Sequence, residues 1–179
     1  PRAALKFRSH SGFSANASYT QMTQFIHLLT NSSLGMPTDL WVASTDEVKP
    51  QSSRQISAGI EQQLSNYEFG FETYYKWMYD VIRFEEGAVF LSSQDTKWNE
   101  NISVGRGRAY GAEFMAKKIQ GKLTGMLSYT LSWSERQFSE VNLGRWFPDK
   151  YDRRHDVSLL GEYRLFKNEY REKSVSFGF

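Results

Sequence analysis

Tyr67-Glu68-Phe69-Gly70-Phe71-Glu72-Thr73-Tyr74-Tyr75-Lys76-Trp77-Met78-Tyr79-Asp80-Val81 repeats with a period of two. Tyr67, Phe69, Phe71, Thr73, Tyr75, Trp77, Tyr79 and Val81 fall on one side, and Glu68, Gly70, Glu72, Tyr74, Lys76, Met78 and Asp80 on the other. Successive side chains of a strand point to opposite faces, so the stretch is expected to be a strand with one greasy and one charged face. A tilted strand crosses a bilayer in about 9–11 residues, and this pattern is longer. A greasy outside, a polar inside and that length together describe the wall of a transmembrane β-barrel.

Outward from this stretch the same alternation recurs. Leu5 and Phe7 oppose Lys6 and Arg8, and Phe13, Ala15, Ala17 and Tyr19 oppose Ser14, Asn16, Ser18 and Thr20. Ile56, Ala58, Ile60 and Leu64 oppose Ser57, Gly59, Glu61 and Gln63. Tyr110, Ala112, Phe114 and Ala116 oppose Gly111, Glu113, Met115 and Lys117. The pattern returns over Lys122–Trp133 and Asp156–Leu165, and Val175, Phe177 and Phe179 close the chain. About eight antiparallel strands are expected, in one partial β-barrel domain over residues 1–179, and helical periodicity is nearly absent.

The connections alternate in length. Ser9 to Gly12, Ser65-Asn66, Gln120-Gly121 and Phe166 to Tyr170 read as short turns. Thr30 to Ser53, Arg83 to Val104 and Phe138 to Arg153 read as long polar loops. Short periplasmic turns alternating with long extracellular loops are the rhythm of an outer-membrane barrel. Tyr74, Tyr75, Trp77, Tyr79 and Trp133 crowd the loop ends of their strands, where an aromatic girdle would lie. Plain packing of aromatics on strands is the alternative.

Composition is compatible with this reading. Mean hydropathy is −0.58, yet a barrel turns only alternate residues toward lipid. No apolar run approaches the roughly 18–20 residues of a membrane helix. The absence of cysteine removes disulfides and thiolate metal sites. With 22 Lys plus Arg against 20 Asp plus Glu, the net charge of +2 argues against a dedicated nucleic-acid binder. The sequence opens on Pro1 with no export signal before it, so a piece of a longer precursor is expected.

No catalytic pattern emerges. His10, His27 and His155 lack metal-ligand spacing, and His155 reads as a loop-edge residue. Gly105-Arg106-Gly107-Arg108-Ala109-Tyr110-Gly111 is followed by a strand pattern rather than by the helix that a phosphate loop needs. Its glycines instead suit a bulge or sharp bend, with Arg106 and Arg108 as cations near a pore mouth. Glu61, Glu68, Glu72, Asp80 and Glu113, interspersed with Lys76 and Lys117, suit a solvated lumen wall. Trp146-Phe147-Pro148-Asp149 either contacts a ligand or anchors its loop. Neither an enzymatic role nor a cofactor is expected.

Four stretches stand out: Tyr19–Ser32 with Pro37–Trp41, Glu72–Ile82, Gly105–Glu113, and Tyr129–Arg136 followed by Gly144–Pro148 and Tyr151–Asp156. They resemble the barrel of TonB-dependent outer-membrane receptors, particularly those of Bacteroidetes. Together they cover nearly the whole chain in consistent order. The resemblance implies a 22-stranded barrel, a plug domain, and active uptake of a scarce, bulky nutrient driven through TonB. The plug and the TonB-contacting part are absent from this sequence, which would be a fragment unable to transport alone. The implied partners are outer-membrane lipid, the TonB complex through the missing N-terminal part, and an unidentified nutrient. On this reading Arg106, Arg108, Tyr110, Arg145 and Trp146 are the expected substrate contacts, since they offer cationic and stacking groups in or beside external loops. A small passive barrel of porin or adhesin type and a soluble β-rich binding module are the alternatives.

Overall fold

The computed structural model describes residues 1–31, 38–84, 99, 102–168 and 173–178. The chain is all-β. Its principal sheet runs β1 (Arg2–Arg8), β2 (Phe13–Gln24), β5 (Gln51–Leu64), β6 (Tyr67–Phe84), β7 (Ile102–Lys118), β8 (Leu123–Gln137), β10 (His155–Asn168) and β11 (Lys173–Gly178). Each neighbouring pair is antiparallel, and the sheet is not closed. A separate hairpin joins β3 (Ile26–Asn31) to β4 (Thr38–Ala43), and the short β9 (Phe147–Pro148) pairs with β8.

Tight turns set the register. Ser9 donates its amide to the Phe13 carbonyl at 2.8 Å, and Gly12 closes that turn at φ 78°. A β-carbon on Gly12 would lie 2.7 Å from the Gln63 carbonyl oxygen, so the site suits glycine on both counts.

Pairing carries side chains into rows, because directly opposed residues share a face. Phe7, Ala15, Ile60, Phe71, Phe114, Tyr129 and Val157 form one continuous row across β1, β2, β5, β6, β7, β8 and β10. The row on the opposite face beside it is Arg8, Ser14, Glu61, Gly70, Met115, Ser128 and Ser158. The period-two reading therefore extends coherently over the sheet. On the polar face Ser14 donates to Glu61 at 2.9 Å, and Ser18 bonds Ser57 at 2.9 Å. Ser14, Ser53, Gly59, Ser103, Gly107 and Gly111 are buried, and all lie on that face.

Nothing among the described residues covers the apolar face. Phe7, Ile60, Phe71, Phe114 and Val157 are 40–65% exposed. The small apolar core sits elsewhere: Leu29, Val42 and Val48 of the hairpin region pack with Ile82, Phe84 and Ile102 at the far end of β6 and β7.

Several boundaries differ from the sequence reading. The expected loop from Thr30 to Ser53 contains β4 and the start of β5. Phe166, Lys167 and Asn168, read as turn, end β10; residues 169–172 and Phe179 lie outside the described set. Most of the expected loop from Arg83 to Val104 does too, while Arg83, Phe84, Ile102, Ser103 and Val104 are strand. The alternation also breaks before Val81. Asp80 is an extra residue at φ 55°, so that Tyr79 pairs with Arg106 but Val81 pairs with Gly105. The bulge moves Val81 to the face opposite Tyr79.

Candidate functional site

The apolar face ends in a belt of rings. Tyr19, Ile56, Tyr75, Tyr110 and Trp133 form one cross-strand row. Tyr75 stacks on Tyr110 with centroids 5.4 Å apart and planes 9° from parallel, and Tyr110 stacks on Trp133 at 5.3 Å and 10°. Trp77, one row higher, meets Tyr75 at 4.4 Å. Each such ring pair contributes about 0.5–1.5 kcal/mol beyond area burial.

Charge begins at the next row, Gln21, Arg54, Trp77, Arg108 and Glu135. The Arg108 Nε donates to Glu135 Oε2 at 2.6 Å, and the guanidinium lies 4.3 Å from the Trp146 ring and 5.8 Å from the Tyr110 ring. Arg154 lies 4.6 Å over Trp133 and bonds Asp152 at 3.0 Å, while Arg136 pairs with Asp149 at 3.0 Å. These contacts fasten the segment after β8 onto the sheet. Phe147 pairs with Arg136, Asp149 donates its amide to the Ser134 carbonyl, and Ser134 donates its own to Asp152.

Of the five expected substrate contacts, the structure brings Arg108, Tyr110 and Trp146 together. Arg106 lies one row higher, beside Tyr79. Arg145 is exposed next to Trp146, with a backbone bond from its amide to the Asn142 carbonyl. Arg106, Arg108 and Tyr110 share the face of Phe114, rather than the polar face with Glu113 and Gly111. They therefore continue the apolar face of the sheet. Sequence reasoning missed Arg54, Glu135 and Arg154 as members of this belt. Parity would have placed Arg108 with Tyr110, but the cross-strand partners depend on register.

The histidines are dispersed. His27 is buried, with Nε2 bonded to Ser44 Oγ at 3.1 Å, and burial lowers its pKa while the Lys49 backbone partly offsets that effect. His155, at the start of β10, bonds Tyr129 Oη through Nδ1 at 2.9 Å. Among the described residues no group of three or more His, Asp or Glu is placed to hold a metal ion. No helix among them is long and apolar enough to cross a membrane, which says nothing of a strand-built wall.

No protein-family model matches the chain, and no curated protein matches it.

Proposed function

We propose that this chain is a segment of the wall of an outer-membrane β-barrel, with lipid on the apolar face and an aqueous lumen on the polar one. The observation that carries the reading is the uncovered apolar row from Phe7 to Val157 across seven strands, capped by stacked rings and then by arginines. A contiguous apolar patch of more than a few hundred Å² is unusual on a water-facing surface. Hydrocarbon, then an aromatic girdle, then charge is the layering a bilayer selects. The open edges at β1 and β11 support a larger barrel completed by further strands.

Within that wall we read the chain as part of a TonB-dependent receptor for active uptake of a bulky nutrient. This finer reading rests on the sequence resemblance of the four stretches alone. Planar-bilayer recording of the intact protein separates it from a passive barrel: a plugged receptor stays closed, whereas steady open conductance favours the passive pore.

The membrane reading is tested by cysteine labelling, to which these 179 residues contribute no native thiol. In the intact protein in its native membrane, Phe71→Cys and Leu127→Cys should resist a water-soluble maleimide and react with a lipid-soluble one. Glu72→Cys and Ser128→Cys should react with the water-soluble reagent. Equal reactivity of both faces in water would end the membrane assignment.

A further inference from the structure

Directly above the ring belt the outward face changes character. Ser52, Tyr79, Arg106 and Gln137 form the last full row there. They border a groove of about 750 Å³ that also takes in Arg54 and Asp80 and the backbone of Gly144. Arg54 lies 5.8 Å from the centre of the Tyr79 ring. Across β6 from it stands Arg106, in the same groove.

These two arginines differ from their neighbours. Arg108, Arg136 and Arg154 each have a carboxylate partner within 3.0 Å. Among the described residues no carboxylate forms an ion pair with Arg54 or Arg106, and both are exposed. Asp80 is the one carboxylate among the residues lining the groove and forms an ion pair with neither arginine, so an anion seated there would gain charge-assisted hydrogen bonds from both. The backbone around the groove is also unusual. Asp80 sits at φ 55° in the β6 bulge, and Asn142, Leu143 and Gly144 follow one another at φ 50°, 56° and 70°. Bulges re-aim side chains, and left-handed non-glycine residues cluster at functional sites. Here the extra residue brings Asp80 into the groove beside Tyr79.

We infer that this groove binds the phosphorylated headgroup of an outer-leaflet lipid, with Arg54 and Arg106 on the phosphate and Asp80 accepting from a neighbouring hydroxyl. The inference rests on the membrane reading above. Its height on the wall argues for a lipid source: the groove stands one row beyond the girdle, where headgroups meet protein. A planar guanidinium suits a phosphate through paired N–H donors.

The test uses the intact protein purified in mild detergent. The probe is a lipid bearing a phosphorylated sugar headgroup, compared with its dephosphorylated form and with inorganic phosphate, and bound lipid is counted by native mass spectrometry. The expected result is retention of the phosphorylated lipid alone. Arg54→Gln with Arg106→Gln should weaken it about thirtyfold, at about fivefold per arginine near a headgroup layer. Arg54→Lys with Arg106→Lys, which keeps the charge, should lose less. Equal retention by the glutamine variant, or equal binding of the dephosphorylated lipid, overturns the site. Displacement by inorganic phosphate at equal concentration would assign it to a free anion and overturn the lipid reading. If Phe71→Cys labels from lipid while no phosphorylated lipid is retained, only this inference fails; if the labelling fails, the membrane reading falls first.

Discussion

The Phe138 ring lies against Gly105 so closely that a β-carbon on Gly105 would stand 2.5 Å from Phe138 Cδ1, and nearer still to the Gln137 carbonyl oxygen. Phe138 is only 1% exposed, and the Arg83 guanidinium lies 5.6 Å from the centre of its ring. The contact sits across from the Asp80 bulge, so one glycine lets the chain leaving β8 seat on the sheet where β6 changes register. Gly105→Ala should destabilise the protein by about 1–3 kcal/mol through overpacking. Adding Phe138→Ala to it should recover less than that ring's own burial is worth. Denaturant unfolding followed by tryptophan fluorescence measures both, and a neutral Gly105→Ala would show that the ring and the Gln137 backbone both give way.

Phe71 sits mid-row on the apolar face, between Ile60 and Phe114, while Ser128 lies on the polar face. In a bilayer, Phe71→Arg should cost about 2–4 kcal/mol, the usual range for a cation at the lipid midplane. Ser128→Arg should cost far less, because its head can reach lumen water. Unfolding of the vesicle-inserted protein distinguishes them. Similar losses at the two positions would contradict a lipid-facing Phe71.

Arg108 bridges the sheet and the segment after β8 through Glu135 and Trp146. Its side chain is 31% exposed, so solvent screening keeps the ion pair modest. A double-mutant cycle of Arg108→Gln and Trp146→Leu should give a coupling of about 0.5–1 kcal/mol. The same changes should speed proteolysis within residues 138–153. Zero coupling would mean that Trp146 is held by its neighbours and not by the guanidinium.

His27 lies in the β3–β4 hairpin, outside the cross-strand rows of the principal sheet. Its pKa is lowered from 6.5 by burial, so the unfolded hairpin binds a proton more readily than the folded one. Its contribution is therefore complete above about pH 6.5 and is lost as pH falls toward the depressed folded value. Protection of the Leu29 and Val42 amides against hydrogen exchange, taken relative to the intrinsic rate at each pH, should be lower at pH 5.5 than at pH 7.5. His27→Gln should remove that loss of protection. Persistence of the loss in the variant would place the titration elsewhere.

Most of the strands were legible because alternation is a local property. Tyr67 to Tyr79 announces its two faces without help from any neighbour, and the turn at Gly12 carries the residue suited to positive φ. The end of β3 and all of β4 fall within the expected loop from Thr30 to Ser53 because Thr38-Asp39-Leu40-Trp41-Val42-Ala43 is short and lies in a polar stretch without clean alternation. The bulge left no mark either, since an aspartate within an alternating run looks like any polar-face residue. Arg108, Tyr110 and Trp146, three of the five expected substrate contacts, meet in the structure while Arg106 lies one row higher; that grouping depends on register and on how residues 138–153 seat on the sheet, neither of which is local.

The amino-acid order alone determined that this chain forms long antiparallel strands with one greasy and one polar face, because each strand's side chains alternate by backbone geometry within the strand. Only the tertiary structure decided which residues align into rows, which arginines find carboxylates, and where the two faces exchange at Asp80. Those outcomes depend on register between distant segments, and a single extra residue reverses every side chain beyond it.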